Sequence, residues 1–437
     1  EIYLDHRAFP HGSLRHEIAH AVAAEFGDPL FGVAARRVAG IPMLVSPGLI
    51  EGLAVAIDWP GGYDRPTPHE AVRAMQEMGL SPAIGQLLSL EFFSVSSARG
   101  YTTAGSFLRY LLDQFGAEKL RRLYRTGGDF EAAYGTSLGT LESGWRTMIA
   151  TIDLPPSAVE AQRERFRAAG VFARPCPHAI AARRERAQRA FGAGDRGAAV
   201  ALLREVCKEA PEEPRHRLEL GDALVGGGEA EHAEAAAIWD ALARDTAHVT
   251  SSLRVEVLER LARDAAQRGD RKGVEARIRE AAALPLDGAE RRQVDAEMFA
   301  LAHQGPAAAP LYAYFFVPPP LGLGTAMMAQ WAALAEPELG FAHYLLGLQH
   351  GIAGVAGPGA AELARALDLG LPGALFVRNA ARRLAVLAYR GHDLAGVQKA
   401  IAILSGPDMP TPDRLLAKDW QDRLAFDAGH AADIDGH

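Results

Sequence analysis

The sequence predicts a mainly helical protein in two domains, an α+β domain over residues 1–153 and an α-helical repeat domain, or solenoid, over residues 154–437. Three observations carry this prediction. An apolar helical run near the start holds two histidines four residues apart. A Pro-Pro pair interrupts the chain at residues 155 and 156, and helix, glycine turn and helix recur after it. Chemistry is therefore expected in the first domain and an interaction scaffold in the second.

Composition and charge limit the classes of function. A hydrophobic content of 49% and a charged content of 23% are ordinary for a globular protein. The net charge of −8 argues against nucleic acid as the main partner, because phosphate binding needs clustered Lys and Arg. No run of 18 or more uncharged apolar residues occurs, so we expect no membrane contact within this sequence.

The sequence starts at Glu1 without a methionine, and we expect a fragment of a longer chain. A signal peptide or a membrane anchor could precede it, so an exported or membrane-anchored, extracytoplasmic location fits that expectation. Cys176 and Cys207 could form at most one disulfide, and we expect buried thiols instead.

The first predicted element is a strand over residues 1–5, which alternate around Ile2 and Leu4. His11 lies in the turn that follows this strand. It could contact a substrate, although a single histidine in a turn is more often simply solvated.

The helix predicted over residues 14–26 organises the first domain, because it contains the pattern H-E-x-x-H. An α-helix has 3.6 residues per turn, so His16 and His20 project from one face, one turn apart. That spacing allows two imidazoles to share one Zn²⁺ at roughly 2.0–2.1 Å each. Glu17 is angled away from the two histidines, where it could reach a water on the metal and act as general base.

The flanks of this helix suit a buried position. Gly12 or Ser13 could cap its start, the sequence Gly27-Asp28-Pro29 ends it, and a buried stripe is predicted at Ile18, Ala19, Val22, Ala23 and Phe26. Buried histidine and glutamate side chains without partners are costly. This context favours a metal site over a chance occurrence of the pattern.

A catalytic zinc ion takes three protein ligands and leaves a fourth position for water, so a third ligand is required. Glu51 is the best candidate, because it interrupts the short apolar helix predicted over residues 47–58, 31 residues after His20. Residues 31–46, between the two helices, are predicted to be a connecting segment with Arg36 and Arg37 at the surface.

Residues 58–68 are rich in Gly, Pro and Asp and are predicted to form a loop at the rim of the site. Further short helices are predicted over residues 70–78, 82–90 and 120–152. A longer helix is predicted to open at Tyr101 and to end at Gly116. The Tyr101 hydroxyl could stabilise the oxyanion of a tetrahedral intermediate, or its ring could serve only as an aromatic staple. Both alternatives stay open.

Three blocks of this sequence, in the same order, resemble the gluzincin metallopeptidases, specifically the peptidase MA-like domain. They are the H-E-x-x-H helix, the helix reading L-I-E-G-L-A, and residues 101–120, which are similar to that family's Y-x-x-A-G-x-F-x-x-Y-L-x-x-x-F/Y-G-x-x-K-L segment. The resemblance covers roughly the first third of the chain. It implies a zincin-like α+β fold and a protein that hydrolyses a peptide or protein substrate. It also implies that His16, His20 and Glu51 are the zinc ligands and that Glu17 is the general base.

One position departs from the family pattern. Thermolysin-type relatives have an aspartate four residues after the ligand glutamate, which orients a ligand histidine, whereas this sequence has Val55. Asp58 or Glu25 could take over that orienting role, and the sequence does not choose between them.

After residue 156 a unit of helix, glycine turn and helix recurs, at residues 183–210, 218–242, 255–283 and 377–404. The turns at Gly194 and Gly228 are 34 residues apart, which is the tetratricopeptide period. The region therefore resembles a degenerate tetratricopeptide-like solenoid that could bind a protein partner. Residues 312–320 are predicted to be too rich in proline for a helix and to form either a buried crossover or a docking surface.

Two classes of function follow. The first is a zinc-dependent metallopeptidase, in which helical repeats recruit or orient a protein. The second is a catalytically silent zinc-domain protein that acts as a protein-binding repeat scaffold. The presence of both histidines, the base and the third ligand favours the enzyme.

Overall fold

The computed structural model describes residues 14–39, 41–59, 66–166, 177–317 and 324–434. In that part of the chain, 23 α-helices and one antiparallel pair of strands make up the regular structure, so the predicted mainly helical fold is confirmed. With two strands, the described residues do not show a zincin-like α+β domain. None of the described helices is both long and apolar enough to cross a membrane. The strand predicted over residues 1–5, the candidate His11, the helix caps at residues 12 and 13, and Cys176 lie outside the described residues.

The chain divides into two compact units. The first comprises residues 1–261 and 284–287, and the second comprises residues 262–283 and 288–437. The predicted boundary between residues 153 and 154 concerns independent folding, which this division does not measure. That boundary stays a prediction.

The first unit begins with helix α1, Leu14–Ala23, which continues as a 3₁₀ turn over Ala24–Phe26. It is followed by strand β1, Ala35–Val38, and strand β2, Ile41–Val45, which pair as an antiparallel hairpin. The prediction of a plain connecting segment over residues 31–46 is therefore wrong.

An ion pair explains where this hairpin lies. The Asp28 carboxylate is 1% exposed, accepts hydrogen bonds from Arg37 Nε at 2.7 Å and from the Leu30 amide at 2.9 Å, and thereby ties β1 to the end of α1. Arg37 holds the pKa of Asp28 below its usual value. This long-range contact is invisible in the local pattern, which shows only two surface arginines.

Eight more helices complete the part of the unit around the candidate site: α2 Pro47–Ile57, α3 Pro68–Glu77, α4 Ile84–Leu87, α5 Ser97–Phe115, α6 Ala117–Arg125, α7 Phe130–Tyr134, α8 Leu138–Ala150 and α9 Pro156–Phe166. Helix α5 ends at Gly116, as predicted, where the backbone takes a φ of 83° that glycine tolerates best. It begins four residues earlier than predicted, so Tyr101 lies in its second turn and does not open it.

One hydrophobic cluster holds these helices together. Its fully buried members include Leu49 of α2, Phe107 of α5, Trp145 of α8 and Phe166 of α9. The Arg99 side chain of α5 also donates a hydrogen bond to the Phe166 carbonyl at 2.7 Å. Helix α9 thus packs on the same core as the helices that precede residue 153.

The buried stripe predicted for α1 is only partly correct. Ala19 and Ala23 are buried, but Ile18 is 45% exposed and Val22 is 52% exposed. These two residues line an apolar groove of about 420 Å³, together with Phe26, Leu53 and Leu120. No element in the described part of the chain covers that side of α1.

A chain of buried hydrogen bonds links α3, α5 and α8. The Trp145 indole N–H donates to Ser106 Oγ at 3.0 Å, and Ser106 Oγ lies 2.7 Å from His69 Nδ1. Since the serine oxygen accepts from the tryptophan, its own proton is available to donate to Nδ1 of a neutral imidazole. Burial lowers the pKa of His69 to about 4.

This depressed pKa predicts a loss of stability in mild acid. In the unfolded chain the histidine has a pKa near 6.5, so as the pH falls a proton binds the unfolded chain before it binds the folded one. The contribution of neutral His69 to the free energy of unfolding is therefore fully present above pH 6.5 and is lost as the pH falls toward 4. A shift of this size corresponds to roughly 3 kcal/mol. Urea unfolding of the chelator-treated chain and of His69→Gln should therefore give free energies whose difference shrinks between pH 7 and pH 4. Two parallel curves over that interval would contradict the prediction.

The repeat region consists of consecutive helices, most of which pack on their neighbours in sequence. They are α10 Pro177–Gly192, α11 Arg196–Glu209, α12 Pro214–Leu224, α13 Glu229–Arg244, α14 Ser251–Gln267, α15 Arg271–Ala282, α16 Gly288–Ala302, α17 Ala308–Phe316, α18 Thr325–Ala335, α19 Gly340–Ile352, α20 Ala356–Leu369, α21 Ala374–Arg390, α22 Leu394–Leu404 and α23 Thr411–Ile434. Such contacts join α10 through α13 in the first unit and α15 through α23 in the second. A helical repeat region is thus present.

The predicted turns have a shared chemistry. Gly194 and Gly269 take positive φ angles of 81° and 73°, and the aspartate after each one caps the next helix. In the third such turn the positive φ of 56° falls on His392, and Asp393 is again the cap. The local sequence therefore specifies these helix pairs well.

Two features of the second unit differ from expectation. The prediction that residues 312–320 form no helix is wrong up to Phe316, because the Pro-Pro-Pro run starts only after Val317 and α17 buries Leu311 and Phe316. The pair α19 and α20 was not predicted, since glycines interrupt it. Those glycines allow close packing: a Cβ on Gly347 would lie 2.7 Å from Leu363 Cγ.

Candidate metal centre

Helix α1 carries two of the three candidate ligands. His16 and His20 lie one turn apart on the same face, as predicted, with their Nε2 atoms 3.2 Å from each other. Both side chains are partly exposed, at 19% and 27%. The helix thus presents two imidazoles at a surface that a substrate can reach.

Helix α2 carries the third candidate ligand. It starts at Pro47, a position where proline needs no amide hydrogen, and Glu51 sits one turn in, among the buried residues Leu49, Gly52 and Leu53. Glu51 Oε2 lies 3.3 Å from His16 Nε2 and 3.5 Å from His20 Nε2. Residues 31 positions apart in sequence therefore meet at one point.

The three atoms form a nearly equilateral triangle and could hold a metal ion. With metal–ligand bonds of about 2.0–2.2 Å, two ligands of a tetrahedral zinc ion lie about 3.3–3.6 Å apart. The observed separations of 3.2, 3.3 and 3.5 Å match that spacing. Two imidazoles and one carboxylate are also a donor set that zinc uses with a fourth position open.

The electrostatics of the triad favour an ionised carboxylate. Hydrogen bonds from His16 and His20 lower the pKa of Glu51 to about 2. In turn, the hydrogen bond to Glu51 raises the pKa of His16 against the effect of its burial. Glu51 is therefore a carboxylate throughout the physiological range, which is the form that binds a cation.

Close packing of α2 against α5 fixes the position of Glu51. A Cβ on Gly52 would lie 2.9 Å from the Ala104 side chain, and a Cβ on Gly105 would overlap Val55. The small pair Ala-Gly within residues 101–120 thus lets the two helices approach each other. Val55 is the residue that departs from the family pattern, and here it fills the space above Gly105.

This contact predicts a compensating pair of substitutions. Gly105→Ala should destabilise the chain by about 1–3 kcal/mol, because the new methyl group overlaps Val55, and it should weaken zinc binding by moving Glu51 away from the two histidines. Thermal unfolding and titration against a chromophoric chelator would measure the two effects.

The double variant Gly105→Ala/Val55→Gly should recover most of the zinc affinity, since it removes both Val55 atoms, Cβ and Cγ1, that the new methyl group would overlap. Gly85→Ala is the matched control, because nothing lies within 4 Å of a Cβ at that helical position. Equal affinity in the single and double variants would show that the helix contact does not position Glu51.

A cavity of about 240 Å³ opens beside the triad. Its walls include His16, Val55, Asp58, Tyr101 and Arg165. The Tyr101 ring stacks on Phe92 with 5.6 Å between ring centroids and 24° between their planes, and burial together with the charge of Glu51 raises the pKa of its hydroxyl. Tyr101 thus packs as a staple and also faces the cavity, so the structure keeps both of its predicted roles open.

Asp58 and Glu25, the two candidates for orienting a ligand histidine, occupy different surroundings. Asp58 lines the cavity with His16. Burial raises the pKa of Asp58 above its usual value, and the charges of Arg15 and His16 oppose that rise. Glu25 is an exposed residue in the 3₁₀ turn that follows α1. The geometry favours Asp58.

Glu17, the predicted general base, is half-buried directly beside the triad, and its charge contributes to the raised pKa of His16. Sequence reasoning missed Arg165, which also lines the cavity. It belongs to α9, beyond the predicted domain boundary, and no local pattern marks it. Sequence reasoning also missed the hydroxyl of Thr102 on α5, because the Arg165 side chain that donates a hydrogen bond to it at 3.1 Å lies 63 residues further along the chain.

Comparison with known proteins adds little. No family model matches the chain, and no curated protein matches it. The chain is similar to the crystal structure of the P58(IPK) TPR domain, with 13% identity over 86% of this chain and 92% of that chain and a TM-score of 0.21. At that TM-score the likeness carries no argument.

The triangle predicts one zinc ion per chain. Glu51→Ala should largely remove it, since loss of a ligand costs far more than the roughly 10–100-fold expected for a residue that only orients a ligand. Elemental analysis after dialysis measures the metal content. Glu118→Ala is the control, because the Glu118 side chain is 86% exposed on α6.

Full zinc retention in Glu51→Ala would reject Glu51 as a ligand. In the same assay Asp58→Asn should weaken zinc binding and Glu25→Gln should not, because Asp58 lies beside His16.

Proposed function

We propose that the chain is a zinc-dependent peptidase, with His16, His20 and Glu51 as the metal ligands. The observation that carries this proposal is the near-equilateral triangle of their donor atoms at the edge of a cavity. A glutamate beside a ligand histidine and a tyrosine facing the same cavity supply the two further groups that hydrolysis needs.

A zinc ion held at this site would lower the pKa of a bound water to about 7 and polarise the carbonyl of the scissile bond. Glu17 accepts a proton from the attacking water and delivers it to the leaving amine. A carbon–oxygen bond forms as the carbon–nitrogen bond breaks, and the products are a carboxylate and an amine.

Tyr101 donates a hydrogen bond to the oxygen that becomes negative in the transition state. Its raised pKa keeps the hydroxyl protonated at neutral pH, so it remains a donor. Asp58, beside His16, helps to keep the imidazole oriented.

A second candidate function is a catalytically silent protein that binds a partner through its helical repeats. One observation favours it: Met327, Trp331 and Leu334 lie on one face of α18 and are 47%, 53% and 69% exposed. Large apolar side chains in a stripe are typical of surfaces that bind other proteins. The two functions are compatible, since a peptidase can recruit its substrate through such a surface.

Glu17→Gln separates the enzyme from the silent scaffold. Glutamine keeps nearly the same shape but cannot accept a proton, so zinc content and melting temperature should persist while peptide hydrolysis falls at least about 10²–10⁴-fold. Hydrolysis of an unbiased peptide library, read by mass spectrometry, measures the effect.

Tyr101→Phe is the companion variant, because it removes one hydroxyl and keeps the ring on Phe92. A donor used only in the transition state should lower kcat by about 10²–10³-fold with little change in KM. A wild-type rate of hydrolysis in Tyr101→Phe would show that the Tyr101 ring only packs on Phe92 and that its hydroxyl does not stabilise the oxyanion. If the wild type and both variants retain zinc but hydrolyse no peptide, the result would favour the catalytically silent scaffold.

A further inference from the structure

Charged side chains are almost absent from one stretch of the repeat region. Residues 298–361 are 64 positions long and contain two charged residues, Glu336 and Glu338, whereas 23% of the whole chain is charged. The stretch contains α17, α18 and α19, each of which packs on the next. The surface that these three helices form therefore has a chemistry of its own within the chain.

Both glutamates lie at one end of this group of helices. Glu336 follows α18, and its carboxylate lies 2.8 Å from His303 Nε2 and accepts a hydrogen bond from the Ala307 amide at 3.2 Å. Ala307 directly precedes α17. Glu338 lies just before α19, and its side chain is 81% exposed. The start of α17, the end of α18 and the start of α19 thus form a charged end.

A chain of hydrogen bonds identifies the opposite end. The Thr325 hydroxyl, at the start of α18, donates to Gln349 Oε1 at 3.2 Å, and the Gln349 amide donates to the Tyr314 hydroxyl at 2.8 Å. Gln349 is in the last turn of α19, and Tyr314 is in the last turn of α17. The end of α17, the start of α18 and the end of α19 therefore meet, away from both glutamates.

Large apolar side chains are exposed at this second end. Val317, Met327 and Ile352 each lie two or three residues from a member of the hydrogen-bond chain, and they are 42%, 47% and 80% exposed. These three residues are named the apolar tip. Water is an unfavourable surrounding for such side chains, so the tip gains free energy from any apolar phase that covers it.

Trp331 lies behind the apolar tip on α18. It is 53% exposed and comes four residues after Met327, which places it about 6 Å further along the helix axis. Peripheral helices bury an apolar face about 5–10 Å into the boundary of headgroups and acyl chains, and tryptophan is enriched at that depth. Glu336 is about 13 Å behind Met327 by the same rise, so its carboxylate stays in water.

We propose that the apolar tip binds peripherally to a neutral lipid surface, with Trp331 at the level of the headgroups. This inference goes beyond the proposed peptidase function and does not depend on it. The expectation of no membrane contact considered spanning segments, which a peripheral contact does not need. No Lys or Arg occurs in residues 298–361 and the chain carries a net charge of −8, so the charges offer no attraction to anionic lipids.

Lipid fits the tip better than a protein partner does. Hydrocarbon asks for neither hydrogen bonds nor opposite charges, and the tip consists of two aliphatic side chains and a thioether. Protein interfaces surround their apolar centre with a polar rim and include direct hydrogen bonds. The separation of the two glutamates from the tip, at opposite ends of the same helices, keeps the only charges of the stretch out of the lipid.

Flotation of the full chain with phosphatidylcholine vesicles tests the proposal. The wild type should float with the vesicles, and neither added phosphatidylglycerol nor low salt should strengthen binding. Met327→Glu/Ile352→Glu should lower the partition coefficient about 10–100-fold, because both substitutions prevent burial of a large apolar side chain. Both positions are exposed, so the melting temperature should stay the same.

Leu334→Glu is the matched control. Leu334 lies on the same helix and is 69% exposed, but it is about 10 Å behind Met327, so vesicle binding should fall less than about 3-fold. A partner protein or a second copy of this chain that covers the whole α18 stripe would lose Leu334 as well as Met327. Either substitution would then weaken the contact to a similar extent.

Fluorescence measures the depth of Trp331 in the bilayer. The difference between the spectra of the wild type and Trp331→Phe isolates this indole among the five tryptophans of the chain. Phosphatidylcholine brominated near the headgroup should quench it more strongly than phosphatidylcholine brominated near the chain end.

Four results would overturn the proposal: no flotation of the wild type with neutral vesicles, flotation that requires anionic lipid, unchanged binding in Met327→Glu/Ile352→Glu, or an equal loss in Leu334→Glu. A dimer in sedimentation velocity that Leu334→Glu disrupts, without flotation of the wild type, would instead assign the stripe to a second copy of the chain. Zinc content and hydrolysis test the peptidase separately, so the two proposals can fail independently.

Discussion

The close contact between α2 and α5 is the constraint on which the candidate site depends. Gly52 and Gly105 lack side chains at the points where these helices touch, and the helices approach until Val55 fills the gap. Because Glu51 is one residue from Gly52, the contact determines how far its carboxylate reaches toward α1. Apolar packing thus sets the geometry of a polar site, and a methyl group at the wrong position would change that geometry.

The local part of the site could be predicted from sequence. His16 and His20 follow from helical periodicity alone, and Glu51 follows because a carboxylate in an apolar helix needs a partner. The structure brings all three together. The helix pairs with a Gly-Asp turn were equally predictable, because a positive φ and an N-terminal cap are properties of neighbouring residues.

The parts that sequence reasoning missed depend on distant contacts. The hairpin of β1 and β2 is tied down by Asp28, which looks like a simple helix stop, and α19 and α20 hold together through glycines that usually weaken helices. Arg165 reaches the cavity only because α9 packs on α5. Local patterns do not encode such pairings, whereas the folded chain depends on them.

The apolar groove along α1 has a consequence for how the chain holds itself together. The described residues cover α1 on one side only, so little hydrophobic burial secures the helix that carries two of the ligands. A metal ion bound by His20 and Glu51 would close a loop of 31 residues, as a covalent cross-link does. Chain-entropy estimates for a cross-link of that length give about 4 kcal/mol. A zinc ion at this site would therefore stabilise α1 in addition to supplying the chemistry.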